Sequence, residues 1–142
     1  MNKFSKTKRK TRALGHILVV EDDAVLALSI EAALLDAGAS QVEICQTTDA
    51  ALEALRRSSP DVIVLDVHLA DRDDGWAIAE LVDSVGPNAP RIVFSTGAPQ
   101  HIPPEIAELG PVLEKPYEPA ALVSAVQAPR RKGLLALLRK PG

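Results

Sequence analysis

Only one cysteine, Cys45, occurs in the 142 residues, so the chain can form neither an internal disulfide nor a cysteine-held metal cluster, which suits a reducing compartment. Cys45 is expected to be a small buried apolar residue. No apolar run approaches the eighteen or so residues that a membrane span needs, and neither a collagenous nor a coiled-coil repeat is present. The opening MNKFSKTKRKTR is basic, but it leads into a short apolar stretch with no small-residue cleavage site, so it is not read as a secretory signal. A cytoplasmic location is expected. No G-x-G-x-x-G follows the first apolar run and no G-x-x-x-x-G-K-S/T occurs, which argues against a nucleotide-binding domain.

What is present is enough for one domain with a real core: the chain is 46% hydrophobic at a length of 142 residues. The formal charge of −3 hides a partition. Lys3, Lys6, Lys8, Arg9, Lys10 and Arg12 crowd the start, and Arg130, Arg131, Lys132, Arg139 and Lys140 crowd the end. The remaining five bases share the middle with all nineteen acids, a net charge of −14 there. So acidic a body repels nucleic acid and anionic lipid, whereas the basic ends attract either, making membrane or nucleic-acid contact by the ends a secondary expectation. Residues 1–14 are expected to be a disordered leader, 15–128 the folded domain, and 129–142 an extension with a short amphipathic helix.

Within the body, His16-Ile17-Leu18-Val19-Val20 is a short continuous apolar run, the pattern of a strand buried on both faces. Residues 42–45, 62–65, 91–95 and 112–113 repeat the pattern. Between them, helical spacing predicts helices over 24–37, 48–57, 76–85, 105–109 and 119–127, with Gly38 at a left-handed C-terminal cap. Strands alternating with helices predict an α/β fold: a five-stranded parallel sheet with helices on both faces.

Ligands of such sheets bind at the carboxyl ends of the strands. Here the first strand ends in Glu21-Asp22, the third in Asp66, the fourth in Ser95-Thr96 and the fifth before Lys115-Pro116. Three converging carboxylates repel one another unless a cation neutralises them, and Mg²⁺ fits best because it takes few protein ligands and keeps waters that a phosphate can displace. A lysine and a hydroxyl beside such a cluster supply partners for phosphoryl oxygens.

These residues, in this order on these strands, resemble the receiver domain of two-component response regulators, from about Ile17 to Gln127. The resemblance implies a flavodoxin-like sheet in strand order 2-1-3-4-5. It also implies phosphoryl transfer from a sensor histidine kinase or a phosphotransfer protein to Asp66, with Mg²⁺ as cofactor. Asp66 is then nucleophile and metal ligand, Asp22 binds the metal directly, Glu21 does so through water, and the backbone carbonyl of His68 completes the set. Lys115 pairs with the phosphoryl group and Thr96 turns inward to it. Asp23 is expected to cap the first helix.

Three departures stand out. After Asp66 the usual proline is missing and the loop through Asp71-Arg72-Asp73-Asp74-Gly75 is one residue longer, predicting greater mobility. Val112 occupies the position of the usual switch aromatic. No effector or DNA-binding domain follows the body, so output is expected through protein contacts of a stand-alone receiver, with the downstream partner unnamed. The His68 side chain is in reach of attacking water, against the plainer reading of a solvent-facing loop histidine. His16 and His101 read as incidental, and Trp76 and Tyr117 as packing residues. Two other classes compete with a non-enzymatic phospho-acceptor. One is a Mg²⁺-dependent aspartate-nucleophile phosphohydrolase, which wants an Asp where His68 stands; the other is a degenerate receiver used only for binding.

Overall fold

The computed structural model describes residues 14–68, 76–83, 86 and 88–128. The longer loop expected after Asp66, the end of the third helix past residue 83, the Trp76 side chain and both basic ends lie outside the described residues. Five strands, β1 (Gly15–Val20), β2 (Ala39–Cys45), β3 (Val62–Leu65), β4 (Arg91–Thr96) and β5 (Val112–Glu114), alternate with five helices. The helices are α1 (Ala24–Asp36), α2 (Thr48–Arg57), α3 (Trp76–Asp83), α4 (Pro104–Ala107) and α5 (Pro119–Gln127). The strands form one parallel sheet in the order β2-β1-β3-β4-β5, as expected. No helix among the described residues is long and apolar enough to cross a membrane.

Because side chains alternate across a strand, each apolar run feeds two cores. Ile17, Val19, Val62, Val64 and Val93 point to one face, where α1 (Ile30, Leu34) and α5 (Leu122, Val126) cover them. Leu18, Val20, Ile63, Leu65, Ile92 and Phe94 point to the other, under α2 (Ala51, Ala54), α3 (Ile78, Val82) and α4 (Ile106). Burial on both faces is why β1, β3 and β4 read as unbroken apolar runs rather than alternating ones.

Three expectations shift, at the start of β2, at α4 and at Leu14. β2 begins at Ala39, three residues earlier than the apolar pattern predicts, because it is an edge strand paired only with β1 and its Ser40 and Gln41 are exposed. The helix expected over 105–109 is the shorter α4, since the chain turns at Leu109, whose N–H bonds the Ile106 carbonyl. In α1, Ile30 and Leu34 are buried with Ala27, but Leu28 and Leu35 face solvent, 61% and 47% exposed. Leu14, assigned to the leader by sequence, is buried and donates its N–H to the Gly38 carbonyl. Gly38 has φ +112°, the left-handed conformation expected of it.

Asp23 caps α1 as expected, its Oδ1 accepting from the N–H groups of Val25 and Leu26 at 3.0 and 3.1 Å. The far end of α5 is fixed by Arg91, whose guanidinium donates to the carbonyls of Val126 and Ala128. Cations suit that helix end. Gly110 abuts β4 so closely that an added Cβ would sit 1.9 Å from the Ile92 carbonyl oxygen.

Two predictions follow from this packing. Gly110→Ala should cost about 1–3 kcal/mol, the usual range for overpacking, because the clash is with backbone rather than a movable side chain; urea unfolding reads the loss. Cys45 is buried as expected, and burial, reinforced by the Glu43 carboxylate, pushes its thiol up to about 11 from 9.0. Since the thiolate is the nucleophile, alkylation of the native protein at mildly alkaline pH should run about a hundredfold slower than that of the unfolded chain. Equal rates would contradict the buried placement.

Candidate functional site

Val20 and Leu65 are register partners in β1 and β3. The residues that follow them, Glu21 and Asp66, therefore leave neighbouring strands at one level. Backbone bonds fix both: Glu21 N–H donates to the Cys45 carbonyl at 2.9 Å and Asp66 N–H to the Val20 carbonyl at 3.0 Å. Neither carboxylate reaches bulk water, at 1% and 4% exposure. Asp22 joins them half-buried, and carboxylate oxygens of the three lie within 4.8 Å of one another.

A single lysine enters this cluster among the described residues. Lys115 Nζ is 2.8 Å from Glu21 Oε1 and 3.3 Å from Asp66 Oδ2. It is aimed there by the β4–β5 ladder, which ends with Lys115 N–H donating to the Thr96 carbonyl at 2.8 Å, just before the cis Lys115–Pro116 peptide. Local donors hold the remaining oxygens. Asp23 N–H donates to Glu21 Oε2 at 3.1 Å and His68 N–H to Asp66 Oδ1 at 2.9 Å.

Burial raises the Glu21 pKa above its ordinary value, with the Asp66 charge adding to the effect and Lys115 and the Asp23 N–H opposing it. For Lys115 burial works against the charge, but Glu21 and Asp66 outweigh it and hold the ammonium above the ordinary lysine value. The sign for Glu21 is therefore destabilising on ionisation: stability falls as pH rises from 4.5 through the raised folded-state value. One ammonium faces three carboxylates, so the donor set suits a hard divalent cation with oxygen ligands.

Thr96, the last residue of β4, is fully buried, and its hydroxyl accepts from the Ala98 N–H at 3.0 Å. The structure thus gathers Glu21, Asp22, Asp66 and Lys115 into one cluster, with Thr96 joined to Lys115 through the backbone. His68 keeps its N–H on Asp66 while its exposed ring meets that of His101 edge-on, centroids 5.7 Å apart. His101 is thus a neighbour of the site. Ser95, noted beside Thr96 at the strand end, and Tyr117, read as a packing residue, have hydroxyl oxygens 2.8 Å apart, a contact that sequence reasoning missed. Their strand and loop positions give no signal of that contact, because it spans 22 residues.

The chain matches the profile of the response regulator receiver domain over residues 17–127. It belongs to the response-regulator receiver family. The sensory transduction protein LytT of Bacillus cereus is 38% identical over 87 residues, covering 59% of this chain and 34% of LytT. The chain thus spans at most a minor part of that relative. Among solved structures, a response regulator receiver protein from Sinorhizobium medicae is 34% identical, with a TM-score of 0.67 over 81% of this chain and 92% of that one. The N-terminal domain of a response regulator/sensory box/GGDEF 3-domain protein from Carboxydothermus hydrogenoformans is 25% identical, with a TM-score of 0.70 over 87% of this chain and 99% of that one. The sheet order and the helices on both faces are those of this family's flavodoxin-like fold. Receiver domains bind Mg²⁺ at an acidic pocket, and Glu21, Asp22 and Asp66 form an acidic cluster in this chain.

Removing the ammonium should expose the repulsion it offsets. Lys115→Met is expected to cost about 3 kcal/mol without divalent metal, the scale for breaking a buried pair on one side. Mg²⁺ should raise the melting temperature of the variant more than that of the parent, and in both the gain should shrink at mildly acidic pH as Glu21 protonates. Thermal melts at two pH values with and without Mg²⁺ check this; a pH-independent gain would contradict it.

Proposed function

We propose that Asp66 accepts a phosphoryl group from a phosphohistidine of a sensor histidine kinase or phosphotransfer protein, and that the phosphorylated receiver, a cytoplasmic module, acts through protein contacts. The chain is a receiver domain of two-component signalling. The observation that carries the finer reading is the Asp66 carboxylate at the end of β3, within 3.3 Å of Lys115 Nζ and beside two further carboxylates. Receiver domains are phosphorylated by histidine kinases; which kinase and which output partner serve this chain is set by surfaces beyond the site.

In this reading an Asp66 carboxylate oxygen attacks phosphorus in line with the imidazole leaving group. The O–P bond forms as the N–P bond breaks, and the electron pair stays on the imidazole nitrogen, which takes up a proton. The Lys115 ammonium stabilises the negative charge on the phosphoryl oxygens, a role that needs no movement larger than a side-chain shift. Asp22, Asp66, Glu21 through water and the His68 carbonyl are the groups that would hold Mg²⁺. An ion held by these groups would supply positive charge against the phosphoryl oxygens. The Thr96 hydroxyl, which accepts from Ala98 N–H, turns inward to donate its own proton to a phosphoryl oxygen, which makes Thr96 the group that senses the product. The products are an aspartyl phosphate and a free histidine, so no small substrate is turned over.

Incubation with acetyl phosphate and Mg²⁺, followed by intact mass, should show one labile phosphate that Asp66→Asn loses and that chelation of the metal prevents. Lys115→Ala should retain the site but take up phosphate at least tenfold more slowly, on the scale of losing one electrostatic donor. Mg²⁺-dependent phosphate persisting on Asp66→Asn would overturn the assignment.

A further inference from the structure

Tyr117 is the only tyrosine of the chain, and the phosphoryl-accepting set leaves it unused. Its ring packs partly buried in the core face that holds Ile17, Val19 and Leu122. Its hydroxyl is 2.8 Å from Ser95 Oγ. Ser95 is itself buried, at 1% exposure, and pairs with Leu113 across β4 and β5.

The placement matters because of what lies on either side. Ser95 directly precedes Thr96, and Tyr117 follows Lys115 by two residues. Along β4 successive side chains point to opposite faces, so Thr96 and Ser95 project on opposite sides of the sheet. Lys115 N–H is bonded to the Thr96 carbonyl at 2.8 Å. The loop carrying the ammonium is therefore tied to β4 twice, by that backbone bond and, two residues on, by the bond between the hydroxyls. A buried hydroxyl without a partner is costly, so the buried Ser95 hydroxyl gains from its bond to the partly buried Tyr117. No other side-chain hydrogen bond is observed between the Lys115 loop and β4 among the described residues.

We propose that Tyr117 is a positioning residue: its hydroxyl, bonded to Ser95, holds the segment after β5 so that the Lys115 ammonium stays on Asp66 and Glu21, and it transmits movement of Thr96 at β4 to that segment. This rests on the reading of Asp66 as phosphoryl acceptor and adds the regulation of that site. Val112, aliphatic and on β5, has no hydroxyl with which to make such a tie. Tyr117 makes it from the other side of Lys115. When the Thr96 hydroxyl turns to a phosphoryl oxygen, the end of β4 carries Ser95 with it, and the shared bond obliges the Tyr117 segment at the start of α5 to follow.

The test uses the full chain with Tyr117→Phe, Ser95→Ala and the double variant; Tyr117→Phe and Ser95→Ala remove one oxygen each and leave the ring and backbone in place. Without phosphodonor, amide NMR shifts should change at residues 94–97 and 113–118 and stay fixed in β1 and β2. Phosphorylation by acetyl phosphate and Mg²⁺ should slow about fivefold in either single variant, the rate equivalent of one buried hydrogen bond. The double variant should be no slower than either single, and Ser95→Thr, which keeps the hydroxyl, should restore the parental rate. With beryllofluoride the parent should shift amides in α5, and Tyr117→Phe should confine the change to the Thr96 loop. Parental rates and parental α5 shifts in Tyr117→Phe would overturn the proposal, as would losses that multiply in the double variant. If Tyr117→Phe fails to fold, the same readings on Ser95→Ala decide. A parent that takes no phosphate would sink the acceptor reading, while the amide shifts measured without phosphodonor still judge the tie between Tyr117 and Ser95.

Discussion

The ion pairs of Lys115 with Glu21 at 2.8 Å and with Asp66 at 3.3 Å are the interaction on which the site depends. Two carboxylates that the strands carry out of reach of water repel each other and lose hydration, and neither backbone donors nor helix ends compensate fully. A single ammonium brings the pair to partial balance and leaves net negative charge. That residue of charge is of the kind that suits a hard divalent cation with oxygen ligands. A full complement of lysines would have produced a stable but inert salt-bridge cluster.

The sheet supplies the geometry. Parallel pairing of β1 with β3 brings Glu21 and Asp66 out at one level, and pairing of β4 with β5 does the same for Thr96 and the segment leading to Lys115. The central strands β1, β3 and β4 lie between two apolar layers, which fixes the roots of the groups attached to their ends although those groups belong to loops. Side chains on loops with fixed roots are held close to one another while the loops stay able to change partners. Thr96 illustrates this, since its side chain is rooted at the end of β4 while its hydroxyl accepts from the Ala98 N–H of the following loop.

That arrangement also separates the two faces. His68 and the turn bearing His101 lie on one side of Asp66, joined by the edge contact of the two histidine rings. The Ser95 and Tyr117 hydroxyls lie on the other, inside the layer formed by α1 and α5. A change at Asp66 thus has two physical routes outward, one through an exposed ring contact and one through a buried hydrogen bond. The second route runs through a buried member, Ser95, whose hydroxyl is shielded from water that could replace a lost partner.

The order of apolar runs and helical spacings was enough to determine the α/β alternation, the parallel sheet and the carboxyl-end location of Glu21, Asp22, Asp66, Thr96 and Lys115, because burial on both faces writes itself into consecutive residues. The Asp23 cap and the burial of Cys45 were legible for the same reason: each is set by its immediate neighbours. The start of β2 was not, since an edge strand needs few apolar residues, and neither was the outward face of Leu28 and Leu35 on α1, since an apolar residue at helical spacing carries no label for the side it takes. Only the tertiary structure decided that Lys115 contacts both Glu21 and Asp66, that His101 meets His68, and that Tyr117 shares a bond with Ser95. Those contacts join residues tens of positions apart, and nothing local encodes them; they exist because the strand register and the two apolar layers bring distant segments to one end of the sheet.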